Sequence, residues 1–227
     1  MRFRSFPPST RSYTSRMEAV EIETGSRPAA AVIWLHGLGA DGHDFEPVVP
    51  ELRLPKPVRF VFPHAPVRPV TINQGMRMRA WYDIFQFGGG AEDEKGIRES
   101  QGLIAALIKQ QPVPARAIVL AGFSQGGAIV LQTALRYPER LAGVIALSTY
   151  LPLSGKLKDE KSPANQDLPV FMGHGQHDDL IPLNRAQKSR ELLVDAGYKV
   201  EWHDYPMPHS VCGEEIADIA SFLVRLL

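Results

Sequence analysis

The chain has 227 residues, 44% of them hydrophobic and 22% charged, which is ordinary for a globular protein with one sizeable core. Its formal net charge of +0 gives no support for binding nucleic acid or an acidic membrane surface. A single cysteine, Cys212, excludes an intramolecular disulfide and a zinc site built from several cysteines, and it fits a reducing compartment such as the cytoplasm.

The N-terminal stretch MRFRSFPPSTRSYTSR is rich in arginine and serine and has no acidic residue before Glu18. This composition resembles a transit peptide, but two prolines and the lack of an amphipathic run favour another interpretation. We predict that residues 1–17 form a disordered tail or an over-extended start, with translation beginning at Met17. Residues 18–227 are predicted to form one domain, and no apolar run in the sequence is long enough to span a bilayer.

Six apolar runs, most of them ending near glycine or proline, predict strands buried on both faces of a sheet. In chain order they are AAAVIWLHG, VRFVFPHAP, ARAIVLAG, LAGVIALST, LPVFMGHG and the less apolar YKVEWHDYP. Helical patterns alternate with them, over residues 96–110, 124–137, 184–196 and 213–227. This alternation predicts an α/β fold with a mostly parallel central sheet and helices on both of its faces.

Three stretches rich in proline, glycine and charge interrupt this pattern, at residues 63–79, 85–96 and 150–167. Such stretches are either candidates for a lid or substrate rim, or surface loops without a function. The sequence alone leaves both interpretations open.

The residues Gly122-Phe123-Ser124-Gln125-Gly126 spell G-x-S-x-G between a predicted strand and a predicted helix. A sharp turn at that junction needs small flanking residues and projects the serine Oγ above the sheet. The helix N-terminus favours a developing anion, and the backbone N–H of Gln125 is a natural oxyanion donor. Ser124 is therefore a candidate nucleophile; the alternative is a helix N-cap in a glycine-rich turn.

A serine nucleophile needs a base, and the base needs an acid that orients it. On such a sheet the partners follow the serine in the order Asp or Glu, then His. This order favours His209, in the loop between the last predicted strand and the last predicted helix, although it could be an exposed loop histidine. Asp178 and Asp179 both follow a predicted strand, and Asp178 is preferred, in part because of the family resemblance described below.

The stretch WLHGLGADGHDF follows the first predicted strand. Its glycines let backbone N–H groups turn toward a ligand, which predicts the second half of an oxyanion hole with Leu38 as the donor. His36 is interpreted as a hydrogen-bonded loop anchor rather than a base.

The cluster HGQHDD also permits a metal interpretation, because His174, His177 and an aspartate could ligate zinc. Its spacing is not a recognised zinc-protease pattern. We predict no metal and no cofactor.

Seven motifs agree at once with one family: WLHGLGADG, PHAP, RAWYDI, VLAGFSQGG, LSTYLP, HGQHDDLIP and DYPMPHSV. They cover nearly everything from Ala31 to the C-terminus. In this respect the chain resembles the phospholipase/carboxylesterase family of α/β-hydrolases, which includes acyl-protein thioesterases and carboxylesterases.

The resemblance implies an α/β-hydrolase fold with Ser124, Asp178 and His209 as the catalytic triad and Leu38 and Gln125 as oxyanion donors. It also implies that Trp81 forms a wall of the acyl site, the alternative being a core aromatic residue. Pro208 stands where many relatives are expected to have glycine, and the glycine run in FQFGGGAEDEKG looks divergent, so acyl-length preference stays open.

The activity implied by the resemblance is that of a cofactor-free serine esterase acting on short- to medium-chain acyl esters. The alternative is a depalmitoylating acyl-protein thioesterase or a lysophospholipase, so the substrate is a small acyl ester or thioester, an acylated protein or a lysolipid. The resemblance also suggests a weak homodimer. A non-catalytic binding module is the alternative outside the enzyme class, and it would be expected to lack part of the triad.

Overall fold

The computed structural model describes residues 17–86 and 90–227. The strands in these ranges are β1 (Ala19–Glu23), β2 (Ala30–Leu35), β3 (Val58–Pro63), β4 (Val67–Val70), β5 (Met76–Arg79), β6 (Ile118–Phe123), β7 (Gly143–Leu147), β8 (Val170–Gly175) and β9 (Val200–Tyr205). The helices are α1 (Val49–Leu52), α2 (Glu94–Lys109), α3 (Gln125–Ala134), α4 (Leu157–Glu160), α5 (Leu183–Asp195) and α6 (Gly213–Leu226).

A seven-stranded sheet in the order β1-β3-β2-β6-β7-β8-β9 forms the centre of the molecule. All neighbouring strands in it are parallel except β1, which pairs antiparallel with β3. The predicted mostly parallel sheet is therefore confirmed. All six predicted apolar runs contain strands of this sheet.

Both faces of the sheet are covered, which explains why the runs read as continuously apolar rather than alternating. In β2, Ile33 and Leu35 belong to one apolar core, whereas Val32 and Trp34 belong to the other. The first core also includes buried residues of α2, α3 and α5, and the second includes residues of α1 and α6. The helices thus lie on both faces, as predicted.

Two features of the structure were not predicted from the sequence. Strand β1 is only partly buried, so AVEIE gives a weak apolar signal for an edge strand. The stretch 63–79, predicted to be irregular, contains a β4–β5 hairpin in which Val67 pairs with Arg79. Most side chains of this hairpin are partly or fully exposed, so its sequence lacks the apolar pattern from which a buried strand is predicted.

Two sequence predictions concern residues outside the described ranges. Residues 1–16 of the predicted tail lie there, as do residues 87–89 of the glycine run. Among the described residues, no helix combines the length and the apolar character that crossing a membrane requires.

Candidate active site

The turn between β6 and α3 holds Ser124 in a strained conformation, with φ 54° and ψ −117°. A positive φ is uncommon for a non-glycine residue and is typical of functional sites. The turn is possible because its flanks lack side chains: a Cβ on Gly126 would lie 2.4 Å from the carbonyl oxygen of Leu35. The Ser124 side chain makes no capping hydrogen bond to the helix, so the N-cap alternative is not supported.

The structure brings Ser124, His209 and Asp178 together from three separate loops. The Nε2 atom of His209 lies 2.9 Å from Oγ of Ser124, and its Nδ1 atom lies 2.7 Å from Oδ2 of Asp178. The ring of Phe123 packs against the His209 ring, with centroids 4.8 Å apart. These contacts are those that a serine–base–acid relay requires.

The Asp178 carboxylate is buried and well supplied with hydrogen-bond donors. Its Oδ1 atom accepts the backbone N–H groups of Leu180 at 2.9 Å and Ile181 at 2.8 Å. Burial alone would raise the pKa of Asp178, but the hydrogen bonds from His209 and Ile181 outweigh it and hold the pKa below its ordinary value. The neighbouring Asp179 is exposed, so the structure brings Asp178 rather than Asp179 against His209.

Two backbone N–H groups are available for an oxyanion beside Ser124. Neither Leu38 N–H nor Gln125 N–H has a hydrogen-bond acceptor within the described residues, and both residues line the same cavity as Ser124. Gln125 opens α3, where backbone N–H groups have no intrahelical partner. A Cβ on Gly37 would lie 3.5 Å from Cβ of Ser124, so the loop that carries Leu38 passes directly beside the serine.

His36 has the anchoring position that its sequence context suggested. Its Nε2 accepts the backbone N–H of Ala65 at 3.0 Å, and its Nδ1 donates to the carbonyl oxygen of Gly37 at 2.7 Å. Burial lowers the pKa of His36 to about 4. The imidazole is therefore neutral at physiological pH and holds the loop that precedes Leu38.

The prediction that Trp81 forms a wall of the acyl site is wrong for this cavity. Trp81 is fully buried and is absent from the described residues that line it. Its indole N–H donates to the carbonyl oxygen of His36 at 2.9 Å, and its backbone N–H donates to Oε1 of Gln125 at 2.8 Å. Trp81 thus ties the oxyanion loop to the start of α3, and its neighbour Tyr82 lines the cavity instead.

The histidines of the HGQHDD cluster do not converge on a metal site. His174 is buried and donates through Nε2 to the carbonyl oxygen of Ile181 at 2.8 Å, whereas His177 is exposed. Within residues 17–86 and 90–227, no group of three or more His, Cys, Asp or Glu side chains is placed to hold a metal ion. His174 instead supports the loop that carries Asp178, whose Oδ2 lies 3.4 Å from its Nε2.

A cavity of about 230 Å³ opens onto Ser124. Its walls come mainly from residues within 37–44, 82–86 and 90–93, so of the three stretches predicted to be irregular only residues 85–96 contribute more than one residue. Residues that sequence reasoning did not single out include Tyr82, Glu92, Tyr150 and Arg185. Tyr82 follows Trp81 in the motif RAWYDI, which is a signal that could have identified it. Nothing in the helical pattern of α5 distinguishes Arg185 from the other charged residues of that helix.

Comparison with known proteins gives a consistent result. Residues 17–227 match the family model described as Phospholipase/Carboxylesterase. Acyl-protein thioesterase 1 of Mycosarcoma maydis is 40% identical over 92% of this chain and 95% of that protein. Acyl-protein thioesterase 1 of Neurospora crassa is 42% identical over 94% of this chain and 93% of that protein. The crystal structure of Zea mays acyl-protein thioesterase 2 superposes with a TM-score of 0.82 at 26% identity, covering 92% of this chain and 98% of that chain.

Proposed function

This chain belongs to the phospholipase/carboxylesterase family, and from that premise we propose that it hydrolyses acyl esters or thioesters through an acyl-enzyme on Ser124. The family membership confirms the predicted class, a hydrolase acting on ester or thioester bonds. The observation that carries the assignment of residues is the relay in which His209 contacts both Ser124 and Asp178.

In the first half of the reaction, Nε2 of His209 takes the proton of Ser124 Oγ as that oxygen attacks the acyl carbon. The carbonyl oxygen becomes an oxyanion, which accepts hydrogen bonds from the N–H groups of Leu38 and Gln125. His209 then gives the proton to the departing alcohol or thiol, which leaves the acyl group bonded to Ser124.

In the second half, water takes the place of the alcohol. His209 removes a proton from the water as it attacks the acyl-enzyme, and then returns the proton to Ser124 Oγ as the carboxylic acid leaves. Asp178 orients the imidazole through Nδ1–H and stabilises the imidazolium in both halves. Tertiary contacts of Trp81 and His36 keep the oxyanion loop in place throughout.

A serine substitution with a matched control tests this proposal. Ser124→Ala should abolish both ester turnover and covalent labelling by a fluorophosphonate probe, because no acyl- or phosphonyl-enzyme can form. Ser221→Ala is the control, since this exposed serine bonds within α6 at Ala217 and should leave both signals unchanged. Wild-type turnover in Ser124→Ala would refute the assignment, and an unlabelled wild-type protein would favour a binding module.

The size of the cavity supports short- to medium-chain acyl groups as substrates. Its volume of about 230 Å³ is below the roughly 300–1,000 Å³ of many small-molecule sites. The named relatives, however, are acyl-protein thioesterases, which supports acylated proteins as the second candidate. A panel of esters, thioesters and acylated peptides of graded chain length decides between them. An esterase for short- to medium-chain acyl groups should show its highest kcat/KM on a medium-chain ester. An enzyme that acts on acylated proteins should show its highest kcat/KM on the long-chain acyl-peptide.

A cytoplasmic location and a homodimer remain proposals for this protein. The single cysteine supports a reducing compartment, and fractionation of cells that express the tagged full-length chain tests it. Light scattering across a concentration series tests the dimer, which should dissociate on dilution if it is weak.

A further inference from the structure

One strong cation, the guanidinium of Arg185, faces the cavity beside Ser124. It is the only arginine or lysine among the described residues that line this cavity. No carboxylate forms an ion pair with it in the described part of the chain. Burial raises the pKa of the Glu92 carboxylate in the same cavity wall, and the charge of Arg185 opposes this rise without forming an ion pair, so the guanidinium N–H groups are not held by a carboxylate of the described chain.

The stability of α5 gives no reason for a cation at this position. Arg185 is the third residue of the helix, and positive charge in the first turn is unfavourable because of the helix dipole. A carboxylate bound to the guanidinium would offset this cost. The position of this cation therefore favours an anionic group beside it.

Aromatic residues hold the guanidinium in a defined orientation. Its Cζ atom lies 3.5 Å from the centroid of the Tyr150 ring, in a cation–π contact. The Tyr150 hydroxyl in turn lies 3.0 Å from the hydroxyl of Tyr82. Stacking on one face leaves the N–H groups in the guanidinium plane directed around its edge, where they can bind a carboxylate through two parallel hydrogen bonds.

Most carboxylates along the same cavity are occupied by other donors. Asp83 accepts from the backbone N–H and hydroxyl of Thr71, and Asp93 accepts from the N–H groups of Gly96 and Asp83. Glu92 accepts from the N–H of Leu153 at 3.1 Å. Arg185 is the one arginine or lysine among the described lining residues, so a carboxylate that enters the cavity is attracted to its guanidinium, where it competes with the charge of Glu92.

We propose that Arg185 is a specificity-determining residue that binds a carboxylate carried by the ester or thioester substrate, on either its acyl part or its leaving group. This inference rests on the proposed function of Ser124. It adds a chemical class to that function: esters of dicarboxylic acids or of carboxylate-bearing alcohols and phenols.

Paired substrates of matched size test the proposal on the full-length protein. For the acyl part, mono-para-nitrophenyl adipate is compared with the para-nitrophenyl ester in which an isopropyl group replaces the free carboxylate. For the leaving group, para-carboxyphenyl butanoate is compared with para-isopropylphenyl butanoate. The measured quantity is the ratio of kcat/KM for the charged and neutral members of each pair, which does not depend on the fraction of folded enzyme.

Arg185→Met should lower this ratio about tenfold or more in the pair whose carboxylate reaches the guanidinium, the size expected for a lost charge-assisted hydrogen bond. Arg185→Lys should keep much of the ratio because it keeps the charge. Arg190→Met is the matched control: this arginine lies on the same helix, 5.8 Å from the centroid of the Trp202 ring, and does not line the cavity.

A ratio in Arg185→Met that stays within about twofold of wild type in both pairs would overturn the proposal, as would an equal fall in Arg190→Met. Failure of the underlying function gives a different result. In that case Ser124→Ala would hydrolyse the neutral esters at the wild-type rate, whereas failure at Arg185 alone leaves their hydrolysis dependent on Ser124.

Discussion

Asp178 and Glu215 are both buried carboxyl groups beside β8, but their surroundings differ. Asp178 follows the strand and accepts hydrogen bonds from two backbone N–H groups and from His209. Glu215 lies in the first turn of α6 against Gly173, and neither of its oxygens has a hydrogen-bond partner in the described structure. The pKa of Asp178 is lowered, whereas burial raises the pKa of Glu215 to about 8.

The comparison shows that burial alone does not decide the charge of a carboxyl group. Desolvation opposes ionisation at both positions, and it is outweighed where hydrogen-bond donors and nearby positive charge favour the charged form. The loop after β8 supplies such donors to Asp178, so its negative charge is retained where an imidazolium must be stabilised. Glu215 lacks them, so at neutral pH it is mainly protonated.

The largest expected effect follows from neutralising Asp178. Asp178→Asn should lower kcat/KM for ester hydrolysis by about 10³–10⁴-fold, because an amide favours the wrong imidazole tautomer and cannot stabilise the imidazolium. Steady-state kinetics measure this, and the exposed neighbour provides the control, since Asp179→Asn should change kcat/KM by less than about twofold. If Asp178→Asn kept a tenth of the activity, the role given to Asp178 would be wrong.

The second prediction concerns the pH dependence of stability. Glu215 ionises near 4.5 when unfolded and near 8 when folded, so unfolding between these values releases a proton and wild-type stability falls as pH rises. Glu215→Gln removes this loss, and its free energy of unfolding relative to wild type should therefore rise by roughly 2–4 kcal/mol from pH 5 to pH 8.

Urea unfolding at a series of pH values measures this difference. Glu214→Gln, at an exposed position one residue earlier in α6, is the matched control and should show no such rise. A difference between Glu215→Gln and wild type that is flat over this pH range would show that Glu215 has an ordinary pKa in the folded protein.

A third, smaller effect tests the packing of Glu215 against β8. A Cβ at Gly173 would lie 2.1 Å from Oε1 of Glu215, so Gly173→Ala should destabilise the protein by about 1–3 kcal/mol. In a chain that also carries Glu215→Ala, the same substitution should cost at least about 1 kcal/mol less. Gly155→Ala is the control, because a Cβ there meets no atom within 4 Å. Strictly additive effects would contradict this contact.

The smallest expected effect is on catalysis. Glu215 neither lines the cavity nor bonds to Ser124, His209 or Asp178, so Glu215→Gln should leave kcat/KM at pH 7 within about twofold of wild type. The same assay as for Asp178→Asn measures this. A tenfold loss would mean that Glu215 affects catalysis, so that the two carboxyl groups could not be treated as functionally separate.

Some strands were easy to predict because burial on both faces requires a continuous run of apolar residues. The apolar runs around Val32 and Leu120 are examples, since every side chain near them packs into one of the two cores. Strand β1 and the β4–β5 hairpin were missed because their side chains are largely half-exposed. Trp81 was misassigned because an aromatic residue in a motif has the same sequence signal whether it lines a cavity or anchors a loop.

Local sequence patterns were enough to predict the alternation of strands and helices, the strained turn around Ser124, and the chain order of the serine, aspartate and histidine candidates. Those features depend on local patterns of polarity and on which residues a backbone conformation allows. Tertiary packing, by contrast, places Asp178 rather than Asp179 against His209 and places the Arg185 guanidinium over the Tyr150 ring beside the cavity. Such contacts join residues far apart in the chain, so they depend on how loops and helices pack around the sheet, which no local pattern records.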